Sequence, residues 1–104
     1  MFSATLADTD TARSFADRLP LTLDMHDVNS NEKAFDLSED LPSNPENPGA
    51  ISSGDLMLYG SNTVVLFYES FGTSYSYTRI GRLTDPAGLS QALGTGDVTV
   101  TFAR

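Results

Sequence analysis

Three side chains with chemical potential, Tyr75, Tyr77 and Arg79, occupy alternate positions within the stretch Gly54–Leu83. In an extended strand such positions share one face. Two phenol rings give apolar area with a polar tip, and a guanidinium gives five donors in a planar fork. Together they suit a shallow groove for a short peptide, or for a small molecule with an anionic group. The competing reading is a half-exposed barrel wall along which the tyrosines only pack. Phe67 and Tyr68 point to opposite faces of the preceding strand, so one of them should join the set, with Met25 or Met57 at the floor. The candidate ligand contacts are therefore Phe67, Tyr68, Tyr75, Tyr77, Arg79, Met25 and Met57. No residue is assigned a catalytic or metal-binding role, and the reading includes no cofactor.

Other constellations are weaker. His26, the sole histidine, shares a strand face with Asp24, which makes a polarised His–Asp pair a candidate. No serine or second histidine is spaced to complete a triad or a metal site, so a surface histidine among acids is the simpler reading. Asp27, Asn29, Asn31 and Glu32 faintly resemble a calcium loop, but its mid-loop glycine and terminal glutamate are lacking. Gly94-Thr95-Gly96 has no helix after it to present N–H groups to a phosphate, and reads as a helix stop followed by a turn.

The elements that must position these residues follow from periodicity. Phe2, Ala4 and Leu6 alternate with small or polar residues as a short strand. Ala12, Phe15, Ala16 and Leu19 recur at helical spacing, capped by Thr9 or Asp10 and stopped by Pro20, which predicts a helix over 10–19. LTLDMHD (21–27) is a half-buried strand, the Asn29-Ser30-Asn31 cluster is turn chemistry, and 33–37 is its partner strand. Residues 38–53, with Pro42, Pro45 and Pro48, read as one long loop, either a crossover or a functional segment. Strands are expected at 55–59, 63–69 and 75–83. Leu56, Leu58, Val64, Leu66 and Ile80 should serve the core. Asp85-Pro86 should open a second helix that buries Leu89, Ala92 and Leu93 and ends at Gly94. Val98, Val100 and Phe102 face inward on a last strand.

Composition limits the function classes. The 104 residues are read as one domain, 1–104, long enough for a core of its own. Fourteen acids against six bases give a net charge of −8, which opposes nucleic acid and anionic membranes as partners. The lack of cysteine removes disulfides and thiolate chemistry and suits a cytoplasmic protein. No apolar run approaches a membrane span, and the first ten residues lack the form of a signal peptide.

Two stretches resemble cyclophilins: Thr11-Ala12-Arg13-Ser14-Phe15-Ala16-Asp17-Arg18-Leu19, like their first helix, and Gly54–Asn62 followed by Val65–Tyr68, like a turn between two active-site strands. Over nearly its whole length the chain is similar to small bacterial cyclophilin-like fold proteins, a family of uncharacterised function. The match includes the PSNPENPG loop (42–49), the SYSYTRIGR strand (74–82) and the terminal GDVTVTF (96–102). The resemblance implies a mainly β fold, a closed barrel of about eight strands with two short helices. It also implies a longer first strand than this chain provides. Prolyl isomerases of the fold use an arginine on the strand after the first helix, with a glutamine, a histidine and often a tryptophan around a proline pocket. Here that strand reads LTLDMHD, the sole glutamine is Gln91 on the second helix, and tryptophan is absent. The first expectation is thus a binding module for a small molecule or short peptide. The alternatives are a divergent isomerase with Arg79 in the arginine's place, and a structural domain that forms homo-oligomers through its first strand.

Overall fold

The computed structural model describes all 104 residues. Its backbone is a curled seven-stranded antiparallel sheet with a small two-stranded ribbon beside it. In chain order the elements are β1 (Ala4–Leu6), α1 (Asp10–Asp17), β2 (Leu21–Val28), β3 (Glu32–Asp36), β4 (Ala50–Ile51), β5 (Asp55–Tyr59), β6 (Thr63–Phe67), β7 (Phe71–Gly72), β8 (Thr78–Leu83), α2 (Leu89–Leu93) and β9 (Val98–Phe102). The sheet runs β1-β8-β5-β6-β3-β2-β9, and β4 pairs with β7.

The expected closed barrel of eight strands is not formed. β1, only three residues long, pairs with β8 alone, and β9 pairs with β2 alone, so the sheet keeps two edges. Side chains and α1 cover the core where a closing strand pair would run. Phe2 and Phe102 pack against the inner cluster, and the Phe15 ring meets Phe102 edge-on at 5.5 Å.

Alternation along the central strands builds two cores, one on each face of the sheet. The inner face carries Leu56, Leu58, Val64, Leu66 and Ile80 with Leu23 and Met25, closed by Phe15 of α1 and by Leu89 and Leu93 of α2. The outer face carries Ala34, Met57, Val65, Phe67 and Tyr77, roofed by Ile51. This explains why β5 and β6 read as continuous apolar runs: neither face meets water. The inner assignments match the alternation expected from sequence.

Several boundaries differ from expectation. The Thr9 hydroxyl accepts the Ala12 N–H as the N-cap of α1, as expected, but the helix ends at Asp17. The last helix starts at Leu89, not at Asp85-Pro86. Asp85 instead accepts the Ala87 N–H, closing a local turn, and Gly88 enters the helix with φ +80°, outside the range other residues favour. Leu89 and Leu93 are buried there, whereas Ala92 is exposed. The third of the strands expected in the central stretch begins at Thr78, not Tyr75. The loop at 38–53 buries Leu41 in the inner core, then contains an isolated bridge between Glu46 and Tyr77 and strand β4, so its later part lies over the outer face as a cover.

Candidate functional site

Strand β8 carries the site, and an irregularity in it decides which side chains point outward. Against β5, Leu56 lies opposite Gly81 but Met57 lies opposite Arg79, so Ile80 and Gly81 together face Leu56. This is a β-bulge, one extra residue in one strand, a device that re-aims side chains. Tyr77 and Arg79 both lie on the outer face, and Ile80 enters the inner core.

Around them lies a cleft of about 400 Å³. Its two apolar lining residues are Tyr77, 6% exposed, and Met57, which is fully buried behind it. Asp8, Asp10 and Arg13 at the start of α1 make one wall, and residues 42–48 of the proline-rich loop make the other. Hydrogen bonds hold both walls. The Thr9 hydroxyl donates to the Arg79 carbonyl at 2.9 Å, and the Thr11 hydroxyl donates to the Pro42 carbonyl. The Asn44 N–H donates to the Thr78 hydroxyl at 3.0 Å, and Glu46 and Tyr77 exchange two backbone bonds of 2.9 Å. Three prolines leave the loop few conformations of its own, so the wall is fixed before any ligand arrives.

The seven candidate residues separate into three groups. Met57, Tyr77 and Arg79 line the cleft. Phe67 supports it from below: its ring meets Tyr77 edge-on at 5.5 Å, and it is fully buried. Tyr75 is exposed and lies off the strand, yet it joins the set through a partner that sequence reasoning did not single out. Tyr59 contacts Tyr75 at 6.2 Å and Tyr77 at 5.6 Å, extending an aromatic ladder from Tyr75 to Phe71 across the outer face. Met25 and Tyr68 stand apart. Met25 is completely buried in the inner core, across the sheet from Tyr77. The Tyr68 hydroxyl donates to Asp27 at 2.5 Å, and its ring lies under the Lys33 ammonium at 5.3 Å. Burial, and then that bond to a carboxylate, push the Tyr68 hydroxyl up to about 12.

The remaining sequence candidates are engaged otherwise. Asp24 accepts from Thr99 at 2.8 Å, while His26 is exposed and makes no side-chain hydrogen bond. Asn29 and Ser30 both have positive φ, forming a tight turn between β2 and β3. Asp27, read as a faint calcium ligand, accepts bonds from Tyr68, Lys33 and the Ser30 N–H. Tyr68 and then Lys33 hold its carboxyl below the ordinary range.

Sequence reasoning missed Asp8, Asp10, Arg13, Asn44 and Glu46 as cleft lining. Their phase and spacing carry no common period, and only the folding of the loop onto β8 brings them together.

A protein-family model described as the cyclophilin-like family matches residues 1–103. The chain belongs to the cyclophilin-like family. No curated protein and no solved structure matches it. Within this cyclophilin-like domain, the outer-face cleft is a concavity on which polar groups of α1, the loop and β8 converge. No helix is long and apolar enough to cross a membrane.

Proposed function

We propose that this cyclophilin-like domain is a binding module whose ligand enters the cleft between α1, residues 42–48 and β8. The carrying observation is a pre-formed concavity of about 400 Å³ that brings the edge of Tyr77 and the exposed Arg79 together with polar groups of α1 and residues 42–48. A small molecule or short peptide segment would lay an apolar part against the exposed edge of Tyr77, with the buried Met57 packed behind it. Its polar part would bond to Arg79 and to the loop's amide and hydroxyl groups. The lining is mostly polar, which favours ligands rich in hydrogen-bonding groups over greasy ones.

The isomerase alternative has less support. The outward positions of β2, Thr22, Asp24 and His26, carry no arginine. The Tyr77 ring is packed between Tyr59 and Phe67 and is only 6% exposed, so it offers little of its face to a proline.

The test is an NMR titration of the labelled protein with a panel of polar fragments and short proline-containing peptides, read at the Met57 methyl and the Tyr77 ring. Saturable shifts at both, weakened by Arg79→Ala, are expected. Silence at both across the panel would sink the reading. A proline-isomerisation rate above background that Arg79→Ala removes would replace it with the catalytic alternative.

A further inference from the structure

Six basic side chains serve this acidic chain, and four of them are engaged. Arg13 bridges Asp8 and Asp10, each at 2.7 Å. Arg18 bonds Ser14, Arg104 bonds the Ala16 carbonyl, and Lys33 is buried against Asp27. The remaining two, Arg79 and Arg82, make no ion pair and no side-chain hydrogen bond, although fourteen acids are present. Both are exposed.

Their placement is not what their spacing predicts. Residues three apart on a regular strand face opposite sides of the sheet. The bulge cancels this. Arg79 lies opposite Met57 and Arg82 lies opposite Asp55, and Met57 and Asp55 are two apart on β5, on one face. Both guanidinium groups therefore stand on the outer face, one on each side of the bulge.

They also share a concavity. A second hollow, of about 270 Å³, is lined by Arg79, Gly81 and Arg82 of β8, by Thr5 and Leu6 of β1, and by Ala50, Ser52 and Asp55. Arg79 lines this hollow and the main cleft alike, so the two meet at this residue. Gly81 lets β1 come close enough to wall it: a Cβ there would stand 2.5 Å from the Thr5 carbonyl oxygen. The one acid in the hollow, Asp55, is buried. It accepts the Ser52 N–H at 2.9 Å and does not pair with Arg82.

We propose that Arg79 and Arg82 form an oxyanion subsite beside the main cleft, taking the carboxylate or phosphate group of the ligand. Two unpaired arginines lining one hollow offer guanidinium forks that match the paired oxygens of such groups, and charge-assisted bonds are the strong class of hydrogen bond. The proposal rests on the cleft reading for where the rest of the ligand lies, but the anion can be tested without it.

The experiment follows the arginine Nε–Hε resonances while inorganic phosphate and, separately, succinate are added at constant ionic strength. Arg79 and Arg82 are expected to shift together along one saturable curve while Arg13 and Arg104 stay still. Arg82→Gln should weaken binding about tenfold as read at Arg79. A tighter response to phosphate assigns the group to a phosphate ester, and one to succinate assigns it to a carboxylate; either supports the subsite. Equal, non-saturating shifts at all arginines, or an unchanged affinity in Arg82→Gln, would overturn it. Arg82 is exposed, and Arg79→Gln serves as a second variant should that one misfold. Free ions report on the arginines and the Met57 methyl reports on the cleft, so either reading can fail while the other stands.

Discussion

Glu32 lies opposite Phe67 on β3, half-buried, and its charge is felt by both Tyr77 and Tyr68. Burial, and then the negative charge of Asp27, raise its carboxyl from 4.5 to about 6. A carboxyl raised on folding binds more protons in the native state than in the unfolded one. Its contribution is complete below pH 4.5 and is lost as the pH climbs through 6. Asp27 works in the opposite sense and lower down: its contribution is present above the unfolded value of 3.8 and is lost as the pH falls through its depressed native value. Urea melts of Glu32→Gln against the parent should therefore diverge between pH 4.5 and 7, the variant being more stable at pH 7 by about 1 kcal/mol after allowance for solvent screening. A difference that does not change with pH would exclude this origin. Residues of this kind are the least legible in sequence. Period two placed Tyr77 on a face away from the inner core, but it could not show that residues 38–53 would fold over that face and bury the ring.

Elements were legible where one face had to be apolar and one polar. β2 and β9 alternate cleanly, and they pair in register from Leu21 with Phe102 to Met25 with Val98. The bulge in β8 shows in sequence only as a broken alternation, since period two from Ile80 would turn Arg82 inward and Leu83 outward, and the extra residue cannot be placed until the partner strand is known. Lys33 escaped notice for a related reason. A lysine at the start of a strand reads as solvent-facing, yet this one is wholly buried. Its ammonium bonds Asp27 at 3.1 Å and the carbonyls of Gly94 and Gly96 at 3.0 and 2.6 Å, fastening the α2–β9 turn to β2 and β3. Its three donors are thus all used. Lys33→Met would orphan two carbonyls and take from Asp27 its only cation. Because Asp27 keeps some exposure and its bond from Tyr68, the expected loss is about 3 kcal/mol, at the low end for a broken buried pair. Hydrogen exchange in residues 94–97 should rise more than in β5 and β6. Equal change in both regions would argue against a local fastener.

At the scale of the whole molecule, charge and topology bear on one another. The curled sheet holds its two cores by burial, while only three of the fourteen acids, Asp8, Asp10 and Asp27, are in ion pairs. The Arg13 pairs are largely exposed, with the arginine side chain 60% accessible, so they contribute little and lose little to screening. The remaining acids repel one another across a molecule 31 Å in its longest extent, comparable to the Debye length of about 30 Å at 0.01 M salt. At 0.15 M that length falls to about 8 Å, and most of the repulsion disappears. The melting temperature should therefore rise between these two sodium chloride concentrations by a few degrees, the shift that roughly 1 kcal/mol gives a chain of this size. Chloride held by Arg79 and Arg82 would raise it as well, and Arg82→Gln separates the two causes. That variant is one unit more negative, so a screening effect persists or grows in it, whereas an effect of bound chloride shrinks. A melting temperature that stays flat or falls with salt in the parent would mean that the charge excess costs the fold nothing.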